Sequence, residues 1–437
     1  MRLLTRFFVS LVQKYLPDPY LFAVLLTFLV FIGGIILTDS SPLDMAVHWG
    51  NGFWELLTFS MQMVLVLVTG HALANSPLIQ KFLKFIARAS KTPARAIIIT
   101  TFVAAIASWI NWGFGLVVGA LLGREMAKEI KGLDYRLLIA SAYMGFLVWH
   151  GGLSGSIPLA LATETDWSYE ITGGIMVGDT IFSTQTLAIA IVLILTLPIL
   201  ARLMMPKENE VVAIDPELLK ASEVKQEKFI PATPAEKVEN SWIISLILFV
   251  GAVIFLVHYF SGGGILNLNI VNFIFLFAGI ALHGTPRRYI MALYSAVKNA
   301  GGIILQFPFY AGIMGMMTSS GLAAVITNWF VSFSTAYTLP FFSFISGGII
   351  NIFVPSGGGQ WAVQGPIMLP AAQALGADLA KTAMGIAWGD AWTNMIQPFW
   401  ALPALGIAGL NARDIMGYCI MALLFSGIII SLGMLLL

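Results

Sequence analysis

Apolar runs of roughly 20 residues, long enough to cross a bilayer as a helix, follow one another through most of the chain. Two are interrupted near their middle by Asn and Gly. The first reads from Ile106 through Asn111 and Gly113 to Leu116, the second from Ile349 through Asn351 and Gly357 to Trp361. The two halves keep a register. Gln62 matches Gln306 (306 − 62 = 244), Asn111 matches Asn351 (351 − 111 = 240) and Asp134 matches Asp378 (378 − 134 = 244). Repeated, Gly/Pro-broken hydrophobic segments at corresponding places point to the substrate site of a secondary carrier.

Charge places the runs relative to the membrane, because Lys and Arg collect in cytoplasmic loops. Lys81, Lys84, Arg88, Lys91 and Arg95 form one basic cluster, and Arg124, Lys128, Lys131 and Arg136 another. The uncharged stretch between them has both ends on one side, so residues 96–125 are expected to form a re-entrant helical hairpin with Asn111 and Gly113 at its tip. Irregular backbone at that depth is tolerated only inside protein or beside a wet cavity. No charge occurs between Asn299 and Ala377, so a second hairpin, 340–372, is expected to enter from outside. Broken spans are expected at 137–163, interrupted from His150 to Pro158, and at 382–410, interrupted from Asp390 to Pro403. Residues 39–52 read as an outer loop.

The expected fold is all-α and integral to the membrane: two inverted repeats with hairpins and broken helices, of the elevator type, with about nine spans. The first repeat is 1–205, a cytoplasmic linker is 206–240, and an extra helix with the second repeat is 241–437. The N-terminus is placed in the cytoplasm and the C-terminus in the periplasm. Residues 3–16 read as a basic amphipathic surface helix and Leu21–Thr38 as an uncleaved first span. Pro77–Ser90 and Leu322–Ser334, ahead of the hairpins, read as interfacial helices.

Composition agrees. Hydrophobic residues make up 58% of the chain, charged residues 10%, and mean hydropathy is +0.87. The bilayer is therefore a partner. With 23 basic and 22 acidic residues the net charge is +1, which gives no footprint for nucleic acid. The single cysteine, Cys419, excludes an internal disulfide and a Cys-rich metal site.

Four elements are expected to converge at midplane, two tips and two breaks. Freed N–H groups at half-helix N-termini suit anions and freed carbonyls suit cations. The candidate substrate contacts are Asn111, Gly113, His150, Ser154, Ser156, Asn351, Ser356, Gly357, Gly358, Gln360, Thr393, Asn394 and Gln397. Asp390, with Asn111 and Asn351, is the candidate coupling-ion set. The ion is H+ or Na+, the latter at the hairpin tips, and no other cofactor is expected. His150 and Asp390 stand alone as ionisable groups in apolar spans, which makes each a functional candidate by default. No Lys or Arg falls at midplane, so a small monoanion fits better than a dianion. Trp112, Trp149, Trp361, Trp388, Trp392, Phe399 and Trp400 surround the breaks as a possible apolar wall. Gly152-Leu-Ser-Gly155 also matches an intramembrane serine protease motif, but that reading leaves the repeat without a role. A channel is a further alternative. The expectation is a carrier and not an enzyme.

The chain resembles the bacterial short-chain fatty acid transporter family (AtoE type) over essentially its whole length. The resemblance is carried by Tyr15-Leu-Pro-Asp-Pro19, Gly52-Phe-Trp54, Val68-Thr-Gly-His-Ala-Leu-Ala74, Ile110-Asn-Trp-Gly-Phe-Gly-Leu-Val-Val-Gly-Ala120, Val354-Pro-Ser-Gly-Gly-Gly-Gln-Trp361, Gln397-Pro-Phe-Trp-Ala-Leu-Pro403 and Arg413-Asp-Ile-Met-Gly-Tyr-Cys419. It implies cation-coupled uptake of acetoacetate, butyrate and similar monocarboxylates across the bacterial inner membrane, with a C4-dicarboxylate or other organic anion as the alternative cargo. It also implies kinship with the ion-transporter superfamily of elevator carriers and a homodimer. Those carriers show Ser-Asn-Thr at their tips. This chain has Ser108-Trp-Ile-Asn111 and Asn351-Ile-Phe-Val-Pro-Ser356, so sodium ligands do not carry over residue by residue.

Overall fold

The structure is a computed structural model of the 437-residue chain and describes residues 2–15, 19–162, 166, 168–215, 231–264, 268–355 and 357–437. The described residues are helical throughout, with no strand.

The first half runs α1 (Arg2–Tyr15), α2 (Pro19–Leu37), α3 (Pro42–Gly52), α4 (Leu57–Ala74), α5 (Pro77–Ala89), α6 (Pro93–Ile110), α7 (Trp112–Glu129), α8 (Tyr135–Met144), α9 (Ser156–Leu161), α10 (Tyr169–Thr172) and α11 (Thr184–Leu203). The second runs α12 (Pro234–Glu239), α13 (Trp242–Ser261), α14 (Leu268–His283), α15 (Pro286–Val297), α16 (Gly301–Ser319), α17 (Leu322–Val331), α18 (Leu339–Phe353), α19 (Gly357–Leu375), α20 (Leu379–Thr393), α21 (Pro398–Ala408) and α22 (Ala412–Leu436).

Length and composition select five continuous helical stretches able to cross a bilayer among the described residues: α6, α8 through α9, α11, α13 and α22. Two bent pairs, α4 with α5 and α16 with α17, would bring this to seven only if each pair were a single broken span. The count expected from sequence is nine. The expected nine left the hairpin arms out, whereas the five include the arm α6; other apolar helices are only 10–17 residues long, among them Asn269–His283 of α14. Residues 39–52 are not a loop. Ser41 and Asp44 close a capping box (the Asp44 N–H donates to Ser41 Oγ at 3.2 Å and the Ser41 N–H to Asp44 Oδ2 at 2.8 Å) and Pro42 presets the first turn of α3.

α6 and α7 form an antiparallel hairpin. A methyl built on Gly119 meets Ala104 Cβ at 3.0 Å and one on Gly115 meets the backbone of Ser108, so the arms touch through small residues. α18 and α19 form a second hairpin, stitched by Gln360 Nε2 donating to the Gly347 carbonyl at 2.8 Å and Gln364 Nε2 to Ser346 Oγ at 3.3 Å.

Each hairpin then packs its first arm on the broken helix that follows. Glycine makes the contact possible in both. A methyl on Gly145 would lie 2.7 Å from the Ala104 carbonyl carbon, and one on Gly389 2.6 Å from the Gly348 nitrogen. Gly145 and Gly389 are register mates (389 − 145 = 244). α11, α21 and α22 complete this body, and α1 lies along α22. Elsewhere α2 and α3 pack on α16, and α4 on α14 and α15. α13 packs mainly on α14 and stays largely exposed, as a lipid-facing helix would.

The start of the linker is tied to the hairpin-bearing body. Asp134 caps α8 by accepting the Leu137 N–H at 2.8 Å and also accepts the Val212 N–H at 2.9 Å. Burial pushes its carboxyl above the ordinary value, while the backbone donors pull it back.

Gly389→Ala is expected to destabilise the protein by about 1–3 kcal/mol through overpacking, read as a lower midpoint of thermal unfolding in detergent. Gly251→Ala, where a methyl meets nothing within 4 Å, is the control and should unfold no earlier than wild type. Equal midpoints for all three proteins would refute the backbone contact.

Candidate functional site

The tips and breaks meet around one buried carboxylate. Asp390 sits in the last turn of α20, one turn before the break in which it was expected, and is fully buried. Its Oδ2 lies 2.6 Å from His150 Nδ1, also fully buried. The contact is close but not aligned as a hydrogen bond. Its Oδ1 accepts a long bond from Asn394 Nδ2 at 3.4 Å. His150 and Asn394 are register mates (394 − 150 = 244), so each oxygen is met by the same position of a different half.

His150 lies in a 3-10 stretch, Gly145–Gly151, that continues α8 into the break. Its Nε2 accepts the Ile157 N–H at 3.1 Å, in the first turn of α9. That bond requires a lone pair on Nε2. The contact turns Nε2 toward the start of α9 and leaves Nδ1 facing Asp390. Trp149 stacks on the imidazole, with ring centroids 4.1 Å apart, and its indole N–H donates to Asn394 Oδ1 at 2.9 Å. Tyr143 donates to the Asn394 carbonyl at 2.6 Å.

The first tip is joined to the first break. Asn111 caps α7, its Oδ1 accepting the Phe114 N–H at 3.0 Å, and the Trp112 N–H donates to Ser154 Oγ at 2.9 Å. Gly113 is buried in the first turn of α7. The second tip reaches the same break: a methyl on Gly357 would lie 2.9 Å from His150 Cε1 and 3.1 Å from Ser156 Oγ. It also reaches the second break. Asn351 Nδ2 donates to the Asp390 carbonyl and to Thr393 Oγ1, both at 2.9 Å, and Gln397 Nε2 donates to the Ile352 carbonyl at 2.8 Å. Trp112 and Trp400 meet edge to face at 5.5 Å, which joins the first tip to the second break.

These bonds sort the candidates. Asn394 and Thr393 spend their polar side-chain atoms on the framework. Gln360 holds the arms of the second hairpin, and Gln397 accepts the Tyr310 hydroxyl at 3.1 Å as well as donating. Three buried candidate amides keep an unpartnered atom, Asn111 Nδ2, Asn351 Oδ1 and Gln360 Oε1. Gly358 is exposed, and Ser356 lies outside the described residues. The protease reading finds no pair: Ser154 is held by the Trp112 amide, and His283 Nε2 lies 2.7 Å from the Ala72 carbonyl. Sequence reasoning missed the framework roles of Trp149, Tyr143 and Ile157. Only the stacking partner of Trp149, its chain neighbour, was within reach of the sequence.

Long apolar helices around a polar, buried centre define a multi-pass membrane protein. The chain belongs to the short-chain fatty acid transporter family, whose description, short chain fatty acid transporter, matches residues 1–437. A protein of Escherichia coli (strain K12), provisionally named a short-chain fatty acid transporter, is 50% identical over 434 residues, covering 99% of this chain and 98% of the relative. One of Haemophilus influenzae (strain ATCC 51907 / DSM 11121 / KW20 / Rd), provisionally named alike, is 49% identical over 439 residues, with 98% of each chain covered. Among solved structures, the Alcanivorax borkumensis YdaH transporter aligns with a TM-score of 0.48 at 16% identity, covering 96% of this chain and 97% of its own. Neisseria gonorrhoeae MtrF, titled among antimetabolite efflux pumps, aligns at 0.44 and 17%, covering 97% and 96%. No argument rests on either structural likeness.

Trp149→Phe keeps a ring on His150 but removes the donor to Asn394 Oδ1. It is expected to cost about 1–3 kcal/mol as an unmet buried acceptor. Trp149→Ala adds a core cavity and should cost about 3–5 kcal/mol. Thermal unfolding in detergent should rank wild type, Phe, Ala, and a Phe variant as stable as wild type would remove the framework role.

Proposed function

We propose that the chain carries short-chain monocarboxylates, acetoacetate and butyrate among them, inward across the bacterial inner membrane together with a cation. The observation that carries this reading is the His150–Asp390 pair. On this reading the imidazole is neutral and an ionised Asp390 gives the site one uncompensated negative charge. The sequence supplies no Lys or Arg at 106–116, 145–158, 347–364 or 389–403 to offset it. Burying a lone carboxylate costs several kcal/mol, and a proton or a sodium ion removes that cost.

The same charge orders the events. At ~6 Å and an effective dielectric of ~20, two like charges repel by about 3 kcal/mol. A substrate carboxylate is therefore disfavoured until a cation has bound. Once it has, a monoanion restores the original charge, whereas a C4-dicarboxylate adds a second negative charge with nothing to meet it. The unpartnered Asn351 Oδ1 is a further oxygen suited to a cation, and the unpartnered Asn111 Nδ2 a donor suited to an anion.

In this reading the halves are inverted repeats, the reading that the opposite placement of charge around the two hairpins supports. The body built from α6–α9, α11 and α18–α22 moves as an elevator against the helices around α16. The N-terminus is cytoplasmic, the C-terminus periplasmic, and the carrier a homodimer.

The test is uptake of labelled butyrate and acetoacetate into proteoliposomes, with a proton gradient and a sodium gradient imposed separately. Wild type should accumulate substrate under one of them. Asp390→Asn should still exchange substrate but bring it only to equality with the outside. Full gradient-driven accumulation by Asp390→Asn would end the coupling role, and preference for succinate over butyrate would end the monocarboxylate reading.

A further inference from the structure

We propose that α5 is a docking surface for anionic phospholipid head groups, set at the root of the first hairpin. The helix has three faces rather than two. At 3.6 residues per turn, Leu78, Phe82 and Phe85 fall within one arc of about 60°. Lys81, Lys84 and Arg88 fall within a second arc of about 60°, centred about 90° away. Leu83 and Ala87, both buried, lie on the third and pack toward α7.

The first two faces point away from the protein. Leu78, Phe82 and Phe85 are 60%, 59% and 71% exposed, and the three basic side chains are exposed too. α5 turns by 74° from α4. A helix set at that angle to a spanning helix runs close to the plane of the bilayer surface. An apolar face beside a basic face then sinks rings into the acyl boundary and holds ammonium groups level with phosphates.

Charge chooses the lipid. α5 contains no acidic residue. Arg88 shares its charge with Glu129, 3.3 Å away at the end of α7, which leaves Lys81 and Lys84 for head groups. α17, ahead of the second hairpin, exposes Val325 and Trp329 but has no charged residue at all. The two helices occupy matching places in the chain, so of this pair only α5 should respond to lipid charge. α5 leads directly into α6 and packs on α7, so lipid held there bears on the position of the first hairpin.

The experiment uses the full-length protein and the double variant Lys81→Gln/Lys84→Gln. Arg88 stays, because it pairs with Glu129. Phosphatidylglycerol and phosphatidylcholine bound to purified protein are compared by native mass spectrometry, and unfolding midpoints confirm that the variant is folded. Wild type should prefer phosphatidylglycerol. The variant should lose about five-fold of that preference per lysine, the equivalent of ~1 kcal/mol each, and Lys81→Arg/Lys84→Arg should keep it. In proteoliposomes, wild-type uptake should rise with phosphatidylglycerol content and variant uptake should not. Equal preference in wild type and the Gln variant overturns the proposal. So does a change in oligomer mass with lipid binding unchanged, since a protein partner would then cover the face. The binding arm stands apart from transport, so a wrong substrate assignment leaves it decisive.

Discussion

A fully buried carboxylate with no Lys or Arg on the surrounding tips and breaks is the constraint on which the centre of this molecule depends. Asp390 cannot be held by one strong partner. It is held by position: an imidazole on one oxygen, an amide on the other, and its own backbone carbonyl bonded to Asn351. On the proposed reading none of these partners cancels its charge. The surrounding rings fix the partners in turn, with Trp149 lying on His150 while bonding Asn394. On the proposed reading such a site is electrostatically incomplete, and that incompleteness gives it a use for a cation.

Bringing both halves to one carboxylate requires backbones closer than side chains normally allow. Gly145 and Gly389 supply that closeness at matching positions, each against the first arm of its own hairpin. Both helices then pass into 3-10 turns, at Gly145–Gly151 and Asn394–Ile396. The breaks free the amides that then find partners nearby. Ile157 donates to His150, and Trp112, at the facing tip, donates to Ser154.

Much of this was legible in the sequence because charge and hydrophobicity act through position alone. Antiparallel helix pairs, α6–α7 and α18–α19, lie where re-entrant hairpins were expected, at 96–125 and 340–372, with Asn111 at the first turn-round and Asn351 one turn short of the second. His150 and Asp390 stood out as solitary ionisable groups and proved to be neighbours. What was not legible is which polar groups are spent on one another. Asn394 and Asn351 look alike in a string of letters, yet the first is saturated while the second keeps an oxygen free. That depends on which side chain lies across the gap, and no local pattern encodes it. α3 is a different miss. The signal was present in Ser41, Pro42 and Asp44, and the outer-loop reading passed over it by attending to charge alone.

The repeat also bears on how many charges the site handles. His150 and Asn394 are equivalent positions, but only one can titrate. Asp390 is matched by Phe146 (390 − 146 = 244), which cannot. A symmetric pair would place two carboxylates and two imidazoles at the centre, and like charges so near cannot both ionise without cost. Divergence to Asn and Phe leaves a single carboxylate and a single imidazole, with Phe146 stacked at 5.6 Å on the Trp149 ring that covers His150. On the proposed reading, one cation then suffices to neutralise the centre and admit one monoanion. The asymmetry between the halves, more than the repeat itself, sets that arithmetic.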